Sequence, residues 1–172
     1  MILKGNGFIL RRLRLSDAKE LFRCQQDPEA KINFMTTPKK IGELKKDINK
    51  DIRQYYLGKT KRSSDNFVID IDGGAIGTIG IHDITYGHEA TSSSLVSKKF
   101  RDQGIGTAAH KLLIKYAFKT YKLRRLQGNV RTFNKASARM LEKSGYKLEG
   151  ILRKNKFKDG IFMDDMVWAV VR

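Results

Sequence analysis

The sequence has one cysteine, Cys24, and two prolines, Pro28 and Pro38, in 172 residues. A single thiol excludes an internal disulfide framework and a thiolate metal site, and Cys24 reads as a buried helix residue. Apolar runs are short. The longest, Ala75 to Ile81 and Met166 to Val171, fall far below the roughly 18 to 20 residues that span a bilayer, so no membrane helix is expected. The first seven residues lack the apolar core and small-residue cleavage site of a secretory signal, which makes the cytoplasm the expected compartment. Acidic residues are scarce as well: 18 Asp and Glu stand against 35 Lys and Arg, a formal charge of +17. Such a field attracts nucleic acid, acidic protein surfaces and phosphate-bearing cofactors, and repels polycations. A hydrophobic fraction of 40% over this length fits one globular domain spanning residues 1–172.

Alternating apolar and basic residues from Phe8 to Leu15 predict a half-buried first strand. Ser16 then caps a helix carrying Leu21, Phe22 and Cys24 until Asp27-Pro28 interrupts it. Thr37-Pro38 predicts the N-cap and first turn of a second helix, with Ile41, Leu44, Ile48 and Ile52 inward and Lys45, Lys46, Lys50 and Arg53 outward. Asn66 to Asp70, a Gly73-Gly74 turn and Ala75 to Thr85 form a hairpin whose second strand contains Gly77 and Gly80. A fourth strand, Ala90 to Val96, leads through a glycine-containing loop into a long helix from Gly104 to about Thr120. A short strand at Arg125 to Val130, a helix from Lys135 to Ser144 stopped by Gly145, and two strands flanking Asp159-Gly160 complete the chain. The order β-α-α-β-β-β-α-β-α-β-β implies an α/β fold: a mixed, mostly antiparallel sheet with helices on both faces.

Chemistry concentrates in the turn Phe100-Arg101-Asp102-Gln103-Gly104-Ile105-Gly106-Thr107. Glycines there let backbone N–H groups converge on one anion, the helix N-terminus adds partial positive charge, and Lys98, Lys99 and Arg101 add side-chain charge. The same two glycines also suit a tight strand-to-helix turn with no ligand. The third glycine of a dinucleotide fingerprint and the Gly-Lys-Ser/Thr ending of a Walker A loop are both missing. His82, Asp83 and Glu89 are the titratable groups near the central strands; a lone histidine such as His82 also reads as an ordinary strand residue.

Arg101-Asp102-Gln103-Gly104-Ile105-Gly106 resembles the Arg/Gln-x-x-Gly-x-Gly/Ala signature of the GNAT N-acetyltransferase superfamily. Asn134-Lys135-Ala136-Ser137, followed by Leu141-Glu142-Lys143-Ser144-Gly145-Tyr146-Lys147-Leu148-Glu149-Gly150, resembles its second block. The opening Leu10-Arg11-Arg12-Leu13-Arg14-Leu15-Ser16-Asp17-Ala18 and the ending Asp159-Gly160-x-x-x-Asp164 resemble the RimJ/RimL-like branch, which acetylates ribosomal-protein N-termini and includes polyamine acetyltransferases.

The resemblance implies a GNAT fold with the sheet splayed between strands 4 and 5, and acetyl-CoA lying in that cleft. An amine would attack the thioester directly. Leu95, Val96 and Ser97 would hold the pantetheine like an added strand and supply an oxyanion donor. Residues Arg101, Asp102, Gln103, Gly104, Ile105, Gly106 and Thr107 would take the pyrophosphate, and Asn134 and Ser137 the pantetheine arm or sulfur. Asn134 also reads as the cap of the helix beginning at Lys135.

Leu141 stands where many family members carry a tyrosine acid, leaving Ser137 as acid candidate. The branch's acidic residue before the last-hairpin aromatic is replaced by Lys156, and the fourth-strand glutamate falls at Thr91. Glu89 and His82 therefore remain as base candidates, beside water-assisted deprotonation. No metal is implied.

The acceptor expected first is a protein α-amine, on an acidic or ribosomal protein; polyamines are disfavoured by the net charge unless a local acidic pocket outweighs it. A second reading is a basic RNA- or ribosome-binding module, using Arg153, Lys154, Lys156 and Lys158 with Phe157 and Phe162 for stacking. Homodimers are frequent in the family, but no interface signature stands out in the sequence.

Overall fold

The computed structural model describes residues 1–172. Its elements are β1 (Ile2–Lys4), β2 (Ile9–Arg11), α1 (Ala18–Gln26), α2 (Pro28–Asn33), α3 (Ile41–Gln54), β3 (Ser64–Ile71), β4 (Gly74–Thr85), β5 (Glu89–Val96), α4 (Ile105–Tyr121), β6 (Arg125–Arg131), α5 (Lys135–Ser144), β7 (Lys147–Lys158) and β8 (Ile161–Val171). They build one eight-stranded sheet in the order β1-β2-β3-β4-β5-β6-β8-β7. All neighbours are antiparallel except β5 and β6. A parallel pair needs a long crossover, and α4 supplies it.

Alternation along the strands assigns the two faces. Ile79, Ile81, Phe67 and Ile69 pack with Leu113, Ala117 and Tyr121 of α4 and Leu141 of α5 in the larger core. On the opposite face Val68 packs with Leu21 of α1 and with Leu44 and Ile48 of α3. The expected layering of a central sheet with helices on both faces is therefore present; α3 buries Leu44 and Ile48 of the stripe read from its sequence and half-buries Ile52, while Ile41, in its first turn, is exposed.

Three local expectations need correction. A short N-terminal strand, β1, was not legible, so the strands expected as fourth and fifth are β5 and β6. Asp27-Pro28 does more than interrupt α1. The Asp27 carboxylate accepts the Glu29 N–H at 3.1 Å and Pro28 occupies the first turn of α2, a cap followed by a proline that needs no donor. Thr37-Pro38, by contrast, lies ahead of α3, whose N-cap is Lys40. Glu43 accepts the Lys39 N–H at 2.7 Å there, while the Pro38 carbonyl accepts from the Gln26 side chain at 2.9 Å. Hydrogen bonding over the actual path of the loop overrides the local signal.

Candidate active site

β5 is paired with β4 from Glu89 to Val96, but its ladder with β6 covers only Glu89↔Arg125, Ala90↔Leu126 and Thr91↔Gln127. Beyond Gln127, β6 continues to Arg131 against β8. The two strands thus part, leaving the Ser92–Val96 edge of β5 open.

A buried polar chain holds the wedge. Ser92 Oγ donates to the Gln127 carbonyl at 3.0 Å, Tyr146 Oη donates to Ser92 Oγ at 2.9 Å, His110 Nδ1 lies 3.4 Å from Tyr146 Oη, and His110 Nε2 lies 3.0 Å from Ser94 Oγ. Each member can donate once along this sequence if Nδ1 carries the imidazole proton. Gly128 makes room at the fork: a Cβ there would stand 3.0 Å from Leu141 Cδ1 and 3.3 Å from Ser92 Oγ. Leu141 is buried against it, so an apolar side chain fills the crotch of the splay.

Burial lowers the His110 pKa to about 4, so the ring is a neutral member of this chain and not a base. Because the folded pKa lies below the unfolded value of about 6.5, the associated stability is present above pH 6.5 and is lost as pH falls towards 4. The expected loss is about 3 kcal/mol at most. Tm measured from pH 7 to 4.5 should fall more steeply in the wild type than in His110→Gln; parallel curves would contradict the assignment.

The β5–α4 turn is built on left-handed backbone at Asp102 (φ 60°) and Gly104 (φ 76°). Gly104 is the N-cap of α4 and no side chain caps that end, so its first-turn N–H groups are available to an anion. Lys98 and Lys99 are exposed beside it. The Arg101 side chain is engaged elsewhere: Nη2 meets Asp27 Oδ2 at 2.6 Å, Nη1 meets Glu29, and Nε donates to the Val96 carbonyl at 3.0 Å. It clamps the turn to the α1–α2 junction, a use that corrects its expected side-chain role as a phosphate ligand. Gln103 donates to the Lys99 carbonyl at 3.1 Å. Gly106 has a packing reason of its own, since a Cβ would approach Met140 Sδ to 2.7 Å.

Asn134 is committed at both ends. Its Oδ1 accepts the Ser137 N–H at 3.1 Å and its Nδ2 donates to Asn33 Oδ1 at 2.9 Å. The cap therefore also ties α5 to the end of α2. Ser137, in the first turn of α5, is half-buried and its hydroxyl makes no hydrogen bond within the chain.

The base candidates fare differently. Glu89 begins β5, where the β5–β6 ladder is still closed, and seven residues of strand, roughly 20 Å, separate it from Val96. That corrects its candidacy. His82 pairs with Thr91, also on the closed side of the fork, and contacts Asp83 at 2.7 Å on the surface. Neither is brought to the open part of β5.

On the α1–α3 face, a cavity of about 410 Å³ reaches Ser93, Ser94 and Leu95 from the other side. Leu13, Leu21, Leu44 and Ile48 form its apolar part, the Phe34–Pro38 loop closes one side, and Glu43, Asp47 and Asp51 of α3 line another. Burial raises the Asp51 pKa, opposed by hydrogen bonds from Asn66 and Ser64. These carboxylates were missed in the sequence. The available signal was their i, i+4, i+8 spacing, which puts all three along one face of α3 beside Leu44 and Ile48.

A model of the acetyltransferase (GNAT) domain matches residues 8–147. The "Probable N-acetyltransferase YjcK" of Bacillus subtilis is 30% identical, over 99% of this chain and 97% of its own length. The chain belongs to the GNAT acetyltransferase family. Its fold is shared by Mycobacterium smegmatis RimJ in complex with CoA-disulfide, at TM-score 0.84 and 21% identity over 99% of this chain and 86% of that one. It is shared equally by the ribosomal-protein-S5-alanine acetyltransferase of Vibrio fischeri, at TM-score 0.86 and 17% identity over 99% and 96%.

An acetyl-CoA-dependent acetyltransferase needs an extended slot for the amides of pantetheine and an anion site for pyrophosphate. The open β5 edge and the uncapped α4 N-terminus fit these two needs, in line and adjacent. When bound, acetyl-CoA supplies the activated acyl group. No helix here is long and apolar enough to cross a membrane.

Proposed function

We propose that residues 1–172 form one catalytic domain that transfers the acetyl group of acetyl-CoA directly to a primary amine, with the α-amine of a protein N-terminus as first choice. The observation that carries this reading is the juxtaposition at β5. One side of Ser92–Val96 is an open strand edge leading to the α4 N-terminus, and the other borders a cavity able to admit an amine. The RimJ and ribosomal-protein acetyltransferase folds support the choice of acceptor. A small polyamine is the second reading, favoured by the three carboxylates of α3.

The Ser97 N–H is donated to the Ile76 carbonyl at 2.8 Å, so in the same register it is the Val96 N–H that faces away from β4, and this donor orients the thioester and meets the developing oxyanion. An ammonium entering the cavity loses one proton to cavity water and thence to Asp51, whose pKa burial raises. The nitrogen lone pair forms the C–N bond, the C–S bond breaks, and the departing thiolate receives the second proton through the free hydroxyl of Ser137. Basic residues elsewhere serve steering and assembly: Lys158 Nζ donates to the Phe34 carbonyl at 2.7 Å and also to that of Lys31, and Phe157 and Phe162 pack on each other at 4.7 Å.

Acetyl-CoA at about 100 times its dissociation constant should add about 2.7 kcal/mol, a Tm rise of roughly 5 to 10 °C, smaller at moderate salt than at low salt. Amine-dependent thiol release should accompany it. Absence of both would refute the proposal.

A further inference from the structure

We infer that Glu43 and Asp47 select acceptors that carry a second positive charge beside the reacting amine. This rests on the transfer reading above and names its substrate class.

Lys and Arg make up 35 of the 172 residues, yet none lines the cavity, while three carboxylates do. Locally the sign of the charge is reversed from that of the whole molecule, so a cation crossing the +17 surface is attracted to this wall. The cavity also contains an unmet acceptor: Gln25, on its wall, has its Oε1 buried with no hydrogen-bond partner. A buried amide oxygen without a donor is costly, and an ammonium or amide N–H entering from the cavity supplies one after a turn of the side-chain amide.

The three carboxylates differ in what already occupies them. Asp51, the deepest, accepts from Asn66 Nδ2 at 2.8 Å and Ser64 Oγ at 3.4 Å. Glu43 accepts the Lys39 N–H at the start of α3. Asp47 makes no hydrogen bond or ion pair within the chain and is exposed at the cavity wall. Successive carboxylates four residues apart rise about 6 Å along the helix. That repeat matches amino groups separated by three or four methylenes, or an α-amine followed by a basic side chain. Asp51 nearest the strands faces the reacting nitrogen; Asp47 and then Glu43 hold the second cation.

Asp47→Asn removes charge without removing an internal contact, so it should fold as the wild type does. The comparison uses putrescine against propylamine, and a tetrapeptide with lysine second against the same peptide with glutamate second. Dicationic acceptors should have the higher kcat/KM in whichever source is used. Asp47→Asn should raise KM for them roughly five- to tenfold with kcat little changed, leaving the monocationic acceptors unaffected. Preference in the polyamine pair alone identifies a small amine, and in the peptide pair alone a protein N-terminus; either supports the inference. Propylamine used as well as its dicationic counterpart and the glutamate peptide as well as the lysine peptide, or no differential effect of Asp47→Asn, overturns it while leaving acetyl transfer intact. No thiol release with any amine overturns both.

Discussion

Gly77→Ala should lower kcat/KM on the order of 100-fold, reduce the thermal shift produced by acetyl-CoA and lower the Tm of the free protein. Gly77 lies opposite Val96 in the β4–β5 ladder. A Cβ there would be 2.1 Å from the Leu95 carbonyl oxygen and 3.0 Å from Val96 Cα. These are backbone atoms and cannot rotate aside as a side-chain tip would, so β5 itself must shift at the residues proposed to hold the thioester. A misplacement of about 1 Å at a reacting centre costs on the order of 100-fold. Gly42→Ala is the matched control: its added Cβ meets nothing, it lies in α3, and alanine there should stabilise slightly and leave turnover unchanged. Equal activity of the two variants would show that the position of Leu95 does not matter to catalysis.

Asp65→Ala should produce the largest loss of stability among the substitutions considered. Its side chain is fully buried and paired with Arg12 and, at 3.4 Å, with Arg62. The hydroxyls of Tyr116 and Tyr121 both donate to Oδ2 at 2.5 Å, and burial, reinforced by Asp65, keeps both phenols protonated by raising their pKa values. Arg12 in turn lies over the rings of Tyr55 and Phe67, at 4.1 and 4.7 Å. The carboxylate thus joins the end of α3, β3 and the end of α4. Its removal strands one largely buried guanidinium and two phenols, a defect that costs about 3 to 5 kcal/mol, or roughly 10 °C in a chain of this size. Asp65→Asn, which keeps acceptor oxygen but not charge, should lose less. A Tm change below about 3 °C in Asp65→Ala would mean that the cluster is held by packing alone.

Much of this organisation could be read in advance because the informative features are local. The Gly73-Gly74 hairpin, the α4 crossover and the Asp159-Gly160 turn each declare themselves in a few adjacent residues. The family motif did likewise: the turn from Phe100 to Thr107 indeed joins β5 to α4. Other roles depend on partners far away in sequence. Arg101 reads as a phosphate ligand until Asp27 and Glu29 are found beside it, more than seventy positions earlier. Glu89 looks close to the motif in sequence, but strand rise carries it to the far end of β5. The α3 carboxylates were hidden for another reason. The chain's overall charge directs attention to its lysines, and only the packing of α3 against β3 and α1 shows that the acidic stripe lines the cavity while the lysines of the same helix do not. Gly77 and Gly80 were visible as strand glycines, but the reason for them is not: it lies in Leu95 for one, and for the other in Asn66, whose Oδ1 would be 1.9 Å from an added Cβ.

Amide hydrogen exchange with and without acetyl-CoA tests the central claim most directly, because it reads cofactor placement without requiring the acceptor. The account predicts slowed exchange across Ser92–Ser97 and at Ile105–Thr107, with the β7–β8 hairpin unchanged. Unchanged exchange in both segments at saturating acetyl-CoA, or protection confined to the basic hairpin, would contradict it.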